Sequence, residues 1–335
     1  MQMEEITTLR SVRFRHEREA DWAALEALLA RAERGGAQGL DWNEARQLAR
    51  SYQQTSNALS VAREISLDKS LVDYLEALVA RAYLVVYAPQ QSAGGLTRAF
   101  FLDRAPRAVR ACWLDILIGT LAMAIGAFVG FGLFFQDPAW FHVFVPGGLA
   151  AGRGPGASTE TLREILFQAP EASGLGVFAA YLFSHNTRVA IFIFGLGAFA
   201  CVPAILLTIY NGTILGAFFA LYVDRDMGWE LGGWLSIHGV TELGAICVAA
   251  GGGIRLGRAV LFPGPYRRRD ALRLAGRDAV KLALVAALML VAAAALEGFG
   301  RQLIVSTEMR YLIGWGAGVG WISWFAMGGR AWQGR

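Results

Sequence analysis

The sequence predicts an all-α protein in two parts, a water-compatible helical bundle followed by a polytopic α-helical membrane domain. Three observations carry that prediction. The 335 residues are 55% hydrophobic and only 17% charged, a balance suited to a chain that crosses a bilayer several times. After position 112 the apolar residues gather in runs of about 20, the length that spans hydrocarbon. Before it they recur at helical spacing, with charges between them. Residues 1–112 are therefore read as a helical bundle with an amphipathic connector. Residues 113–335 are read as the transmembrane domain, with an external loop at 136–187.

In the first part, "DWAALEALLARAER" places Trp22, Leu25, Leu28 and Leu29 on one helix face. Asp21 reads as its N-cap and the Gly35-Gly36 pair as its stop. A second helix follows from Asp41, and a third, "SLVDYLEALVARAYLVVY", from Asp68 or Ser70. Pro89 and Gly94-Gly95 mark the exit towards the membrane. The stretch from Glu4 to Arg34 is charged and lacks a short apolar core with a cleavage site. No signal peptide is expected, and the bundle is assigned to the cytoplasm.

The first span is residues 113–135, preceded by Arg104, Arg107 and Arg110, which put that end inside. Asp115 lies near the same end, close enough to water to be tolerated. In the external loop, "TETLREILFQ" forms a short amphipathic helix. Residues 189–223 are apolar for too long to be one ordinary span. Asn211-Gly212 is a turn signal, so spans at 189–209 and 212–223 are expected, the second short or re-entrant. The next span covers 234–261, and the basic loop "PYRRRDALRLAGRDAVK" after it is cytoplasmic. Residues 280–298 and 311–328 complete six spans with both termini inside.

The membrane-embedded polar residues are the candidate site. In "SIHGVTELGAI", His238 and Glu242 are four residues apart and share a helix face. Glu242 falls roughly 12 Å below Trp234, and Glu297 ends a span rising to the same outer half. The three form a candidate polar cluster, either a hydrogen-bonded lock between helices or an ion path. Asn211, Gly212, Gly239 and Arg255 are assigned to helix breaks and packing, with Arg255 and Arg258 snorkelling to the inner surface.

Enzymatic chemistry finds little support. The four histidines are His16, His142, His185 and His238, and no HExxH, GxSxG or nucleotide-binding loop is present. No cofactor or metal is expected. Cys112, Cys201 and Cys247 have no repeated spacing and read as core residues. The net charge of +4 is explained by basic residues flanking spans, so no nucleic acid is expected.

Taken in order, "LARSYQQTSNALSVARE", "YNGTILGAF", "HGVTELGAICVAAGGGIRLGRAVLFPG", "DALRLAGRDAV" and "LEGF" resemble the stage II sporulation protein M family of bacterial integral membrane proteins. The His-Gly-x-x-Glu stretch with the glycine-rich segment after it is the most specific part. In spore formers the namesake belongs to a membrane complex that holds peptidoglycan-degrading partners at the septum. The resemblance thus implies a non-enzymatic scaffold or assembly component in envelope remodelling, in the inner membrane, and supplies no catalytic residue. The alternative is a transporter or channel using the His/Glu cluster. Expected partners are membrane lipids, envelope proteins such as peptidoglycan hydrolases, and a second copy of the chain packed through glycine-rich faces.

Overall fold

The structure, a computed structural model, describes residues 12–35, 40–64, 69–87, 93–167, 172–297, 304 and 306–330. Gly36, Asp68 and Pro89 lie outside these residues. Every regular element among those described is helical. The chain divides into two compact units, Met1–Arg98 and Ala99–Arg335. The division precedes position 112 because the connector folds with the second unit. Ala105, Ala108, Val109 and Cys112 are buried in one cluster with Ala245, Val248 and Leu282.

The first unit is built on α1 (Glu19–Gly35), α2 (Trp42–Glu64) and α3 (Lys69–Tyr87). Its core contains the stripe Trp22, Leu25, Leu28 and Leu29, packed with Leu48, Leu59, Leu71, Leu75 and Leu78. Asp21 is not the N-cap of α1. The helix starts at Glu19, so Asp21 sits in the first turn, where its charge opposes the positive helix end. Asp41 does cap α2: its Oδ1 accepts from Glu44 N at 2.8 Å, while Glu44 Oε2 accepts from Asp41 N at 3.0 Å.

Helix α4 (Ala93–Ala99) runs up to the boundary at Arg98, and the second unit continues with a π-turn at Phe100–Arg104 and α5 (Ala105–Ala111). Its long helices are α6 (Trp113–Gln136), then, beyond three short helices, α10 (Ala172–Leu196), α11 (Val202–Val223), α12 (Gly228–Leu261), α13 (Arg268–Ala295) and α14 (Thr307–Met327). The short ones are α7 (Trp140–Phe144), α8 (Gly147–Ala150) and α9 (Thr159–Phe167). Four of the long helices, α6, α11, α12 and α13, are long and apolar enough to cross a membrane. The amphipathic helix expected in "TETLREILFQ" is α9, with Leu162 and Leu166 buried. Because α10 already begins at Ala172, the segment between α6 and α10 is shorter than 136–187.

The break expected at Asn211-Gly212 is absent, since α11 runs through it without interruption. In an apolar surround the helix is the state that satisfies every backbone group, and it overrides a turn preference measured in water. The break lies instead at 197–201, where Ala200 and Cys201 have φ of 58° and 64° and Pro203 opens α11. Two consecutive left-handed residues end a helix, and a proline there cannot continue the preceding one.

Glycines set how closely these helices approach. Gly126 and Gly130 of α6 face Gly212 and Gly216 of α11, and a Cβ on any of the four would be driven into the partner's backbone. The registers rise together, so the two helices run parallel. Helix α12 is the centre, packing against α6, α10, α11, α13 and α14. Gly257 of α12 likewise receives the backbone of the 197–201 turn, at Gly197 and Cys201, and Gly253 that of Ile193 and Phe194 at the end of α10.

Candidate functional site

His238 and Glu242 face a cavity of about 120 Å³ lined by α12, α11, α10, α8 and the residues after α8. From α12 come Trp234, His238 and Glu242, four residues apart each time and therefore on one face. Asn211 and Phe218 come from α11, His185 and Asn186 from α10, and Arg153 from the segment beyond α8. His238 and Glu242 are both buried. The Glu242 carboxylate accepts a hydrogen bond from Asn186. The Trp234 ring meets His238 edge-on, with centroids 5.4 Å apart.

Arg153 brings a buried cation to the same cavity. Its Nη2 donates to Leu149 O at 2.8 Å and its Nε to Ala150 O at 3.0 Å. The guanidinium lies over the Phe218 ring at 4.7 Å, and Tyr222 hydrogen-bonds to it. These contacts hold the charge in the lining of the same cavity as His238 and Glu242. A second, apolar cavity of about 280 Å³ adjoins it and shares His185, Asn211 and Ile214.

The other expected site residues fall elsewhere. Glu297 is buried in the π-turn after α13 but does not line this cavity. Asn211 lines the cavity, with its Nδ2 3.8 Å from Met123 Sδ, while its neighbour Gly212 packs on α6. Gly239 lies against the Leu235 side chain of its own helix. Arg255 belongs to a cluster at the opposite end of α12 that the sequence did not suggest. There Asp115 is 1% exposed, with Oδ1 2.6 Å from Arg258 Nη1 and Oδ2 3.8 Å from Arg255 Nη1. A buried carboxylate needs such a partner, and Asp115 is held by arginines rather than by water. Sequence reading also missed Arg153 and Asn186, which gave no local signal beyond being polar residues beside apolar runs. Just before α6, burial pushes the Cys112 thiol up to about 11, which leaves it a protonated core residue.

A family model described as Stage II sporulation protein M matches residues 116–300, more than half of the chain. The chain belongs to the stage II sporulation protein M family. The match begins one residue after Asp115 and takes in the Glu242 cavity together with Arg255 and Arg258, so Asp115 itself lies just outside the stage II sporulation protein M region. Residues 12–88, the body of the first unit, match a separate model described as a domain of unknown function, DUF8413. No curated protein and no solved structure matches the chain significantly.

Proposed function

We propose that this member of the stage II sporulation protein M family is a non-enzymatic membrane scaffold or assembly component in bacterial envelope and peptidoglycan remodelling. The observation that carries the reading is the clamping of α6 to α11, and of the 197–201 turn to α12, backbone against backbone through glycine. Helices in such contact cannot slide past one another without opening voids, as alternating access would require. A fixed platform for partners is what this packing favours. In this reading α6, α10, α11, α12, α13 and α14 cross the inner membrane, and both termini are cytoplasmic. Arg255, Arg258 and the 267–269 arginines then mark the inner face, as the basic-loop rule expects. The partners are envelope proteins, peptidoglycan hydrolases among them. A homodimer would use the α14 face of Gly316 and Gly320, which have open space around them.

A second reading, a transporter or channel, is favoured by one observation: a cavity that reaches Glu242. Substitution of that residue separates the two. As a structural group, Glu242→Gln keeps a hydrogen bond to Asn186, and the protein should stay folded and restore the envelope phenotype of a deletion strain. Glu242→Leu abandons the Asn186 amide and should cost ~1–3 kcal/mol in thermal unfolding. A Glu242→Gln protein that is folded yet fails to complement overturns the scaffold reading, because an amide mimics the shape of the carboxylate but cannot titrate or carry charge.

A further inference from the structure

A cavity of about 520 Å³ lies at the end of α12 away from Glu242, where that helix turns into α13. Arg255 and Arg258 line it from α12, Phe262 and Tyr266 from the connecting turn, and Leu274 and Asp278 from α13. Its charges do not cancel. One carboxylate, Asp115, serves both arginines, and Asp278 is offset by Lys281 at 2.9 Å. A net positive charge is left inside, and Arg267, Arg268 and Arg269 against Asp270 add more where α13 begins. The Arg255 Nε is buried with no hydrogen-bond acceptor among the described residues. Beside this donor set the walls are apolar and open: Phe262 is 77% exposed and Leu274 44%. No side chain caps α13 at Arg267, so the positive end of that helix also faces the turn.

We propose that this cavity binds the headgroup phosphate of an anionic phospholipid, with Arg255 as the principal donor and Phe262 and Leu274 against the acyl chains. Guanidinium groups with free N–H directions match phosphate oxygens. A basic pocket between membrane helices at headgroup level is where such a lipid is recognised. The exposed apolar wall selects a lipid over free phosphate, which would gain nothing from Phe262. Asp115 then acts as a positioning residue, holding Arg258 and orienting Arg255 from below. Only the choice of leaflet rests on the six-span reading; the site itself does not.

The test is competition between dioleoyl-phosphatidylglycerol and dioleoyl-phosphatidylcholine for the full-length protein in uncharged detergent, read as bound-lipid ratios by native mass spectrometry. One net charge at the surface corresponds to roughly a fivefold preference for the anionic lipid. Arg255→Gln should reduce that preference to near unity while leaving the closer Asp115–Arg258 pair in place. If Arg255→Gln melts early in phosphatidylcholine, Leu274→Glu against Leu274→Gln decides. Both alter an exposed wall residue, and only the glutamate should abolish the preference. A preference unchanged in Arg255→Gln and Leu274→Glu overturns the proposal. So does wild-type protein with no preference, or displacement of phosphatidylglycerol by millimolar inorganic phosphate, which would identify a free-anion site.

Discussion

The two units of this protein solve the same problem, packing one helix on another, with opposite residues. In the first unit large side chains do it: Trp22, Leu25, Leu29 and Leu75 are buried between α1, α2 and α3, and the charges stay outside. Arg63–Glu76 and Arg81–Glu33 join these helices with side chains 43–59% exposed. In the second unit the contact of α6 with α11 is made by small residues: Gly126 and Gly130 face the partner helix, while Phe128 of α6 points outward, 78% exposed. The difference follows from the solvent. Water drives leucine inward; lipid is as apolar as leucine and offers no such drive, so close backbone approach and dispersion must hold the helices. Charge follows the same division. Asp115, in the first turn of α6, is buried and held by two arginines, whereas the first unit's ion pairs Arg63–Glu76 and Arg81–Glu33 remain in contact with water.

The largest effect that would sharpen this comparison is expected from Gly126→Val. Its side chain would occupy the space of the Ile209 carbonyl, so the loss should exceed the ~1–3 kcal/mol of ordinary overpacking. Size-exclusion chromatography in detergent should show aggregated protein, and a monodisperse, fully stable variant would mean that the α6–α11 contact is dispensable. Next comes a paired truncation. Leu25→Ala in a fragment of residues 1–93, which should be soluble and helical by circular dichroism, is expected to cost ~2–5 kcal/mol. Phe128→Ala in the full chain should leave the melting temperature nearly unchanged, because its ring leaves one apolar medium for another. Equal losses at both positions would break the comparison, as would a fragment that is unfolded alone. The smallest effect is expected at the surface. Arg81→Ala should cost no more than ~0.2–1 kcal/mol in the same fragment, and less in high salt.

What could be read in advance depended on whether the determining contact was local. The Trp22–Leu29 stripe and the His238/Glu242 face are set by helical spacing alone, and both are found as expected. Asn211-Gly212 misled because its turn preference is local, whereas the α6 backbone and the apolar surround that keep it helical are not. The Asp115–Arg258 pair joins residues 143 positions apart, and nothing in either neighbourhood announces the other. Arg153 reaches the cavity only because the residues around α8 fold back over α11 and α12, a path set by tertiary packing. The true break at 197–201 did leave a trace, the glycines before it and Pro203 after it, but an apolar run without charges concealed it.

The parallel pairing of α6 with α11 also has a consequence for biogenesis. Gly126 leaves the ribosome 86 positions before Gly212, and α10 must be made between them. At ~5–20 residues per second, α6 waits on the order of 4–17 s with its glycine face uncovered. Neighbouring helices cannot zip up in the order of synthesis here. The nascent first helix must stay beside the insertion machinery, or be shielded by lipid or a chaperone, until a helix made much later arrives to close the bundle.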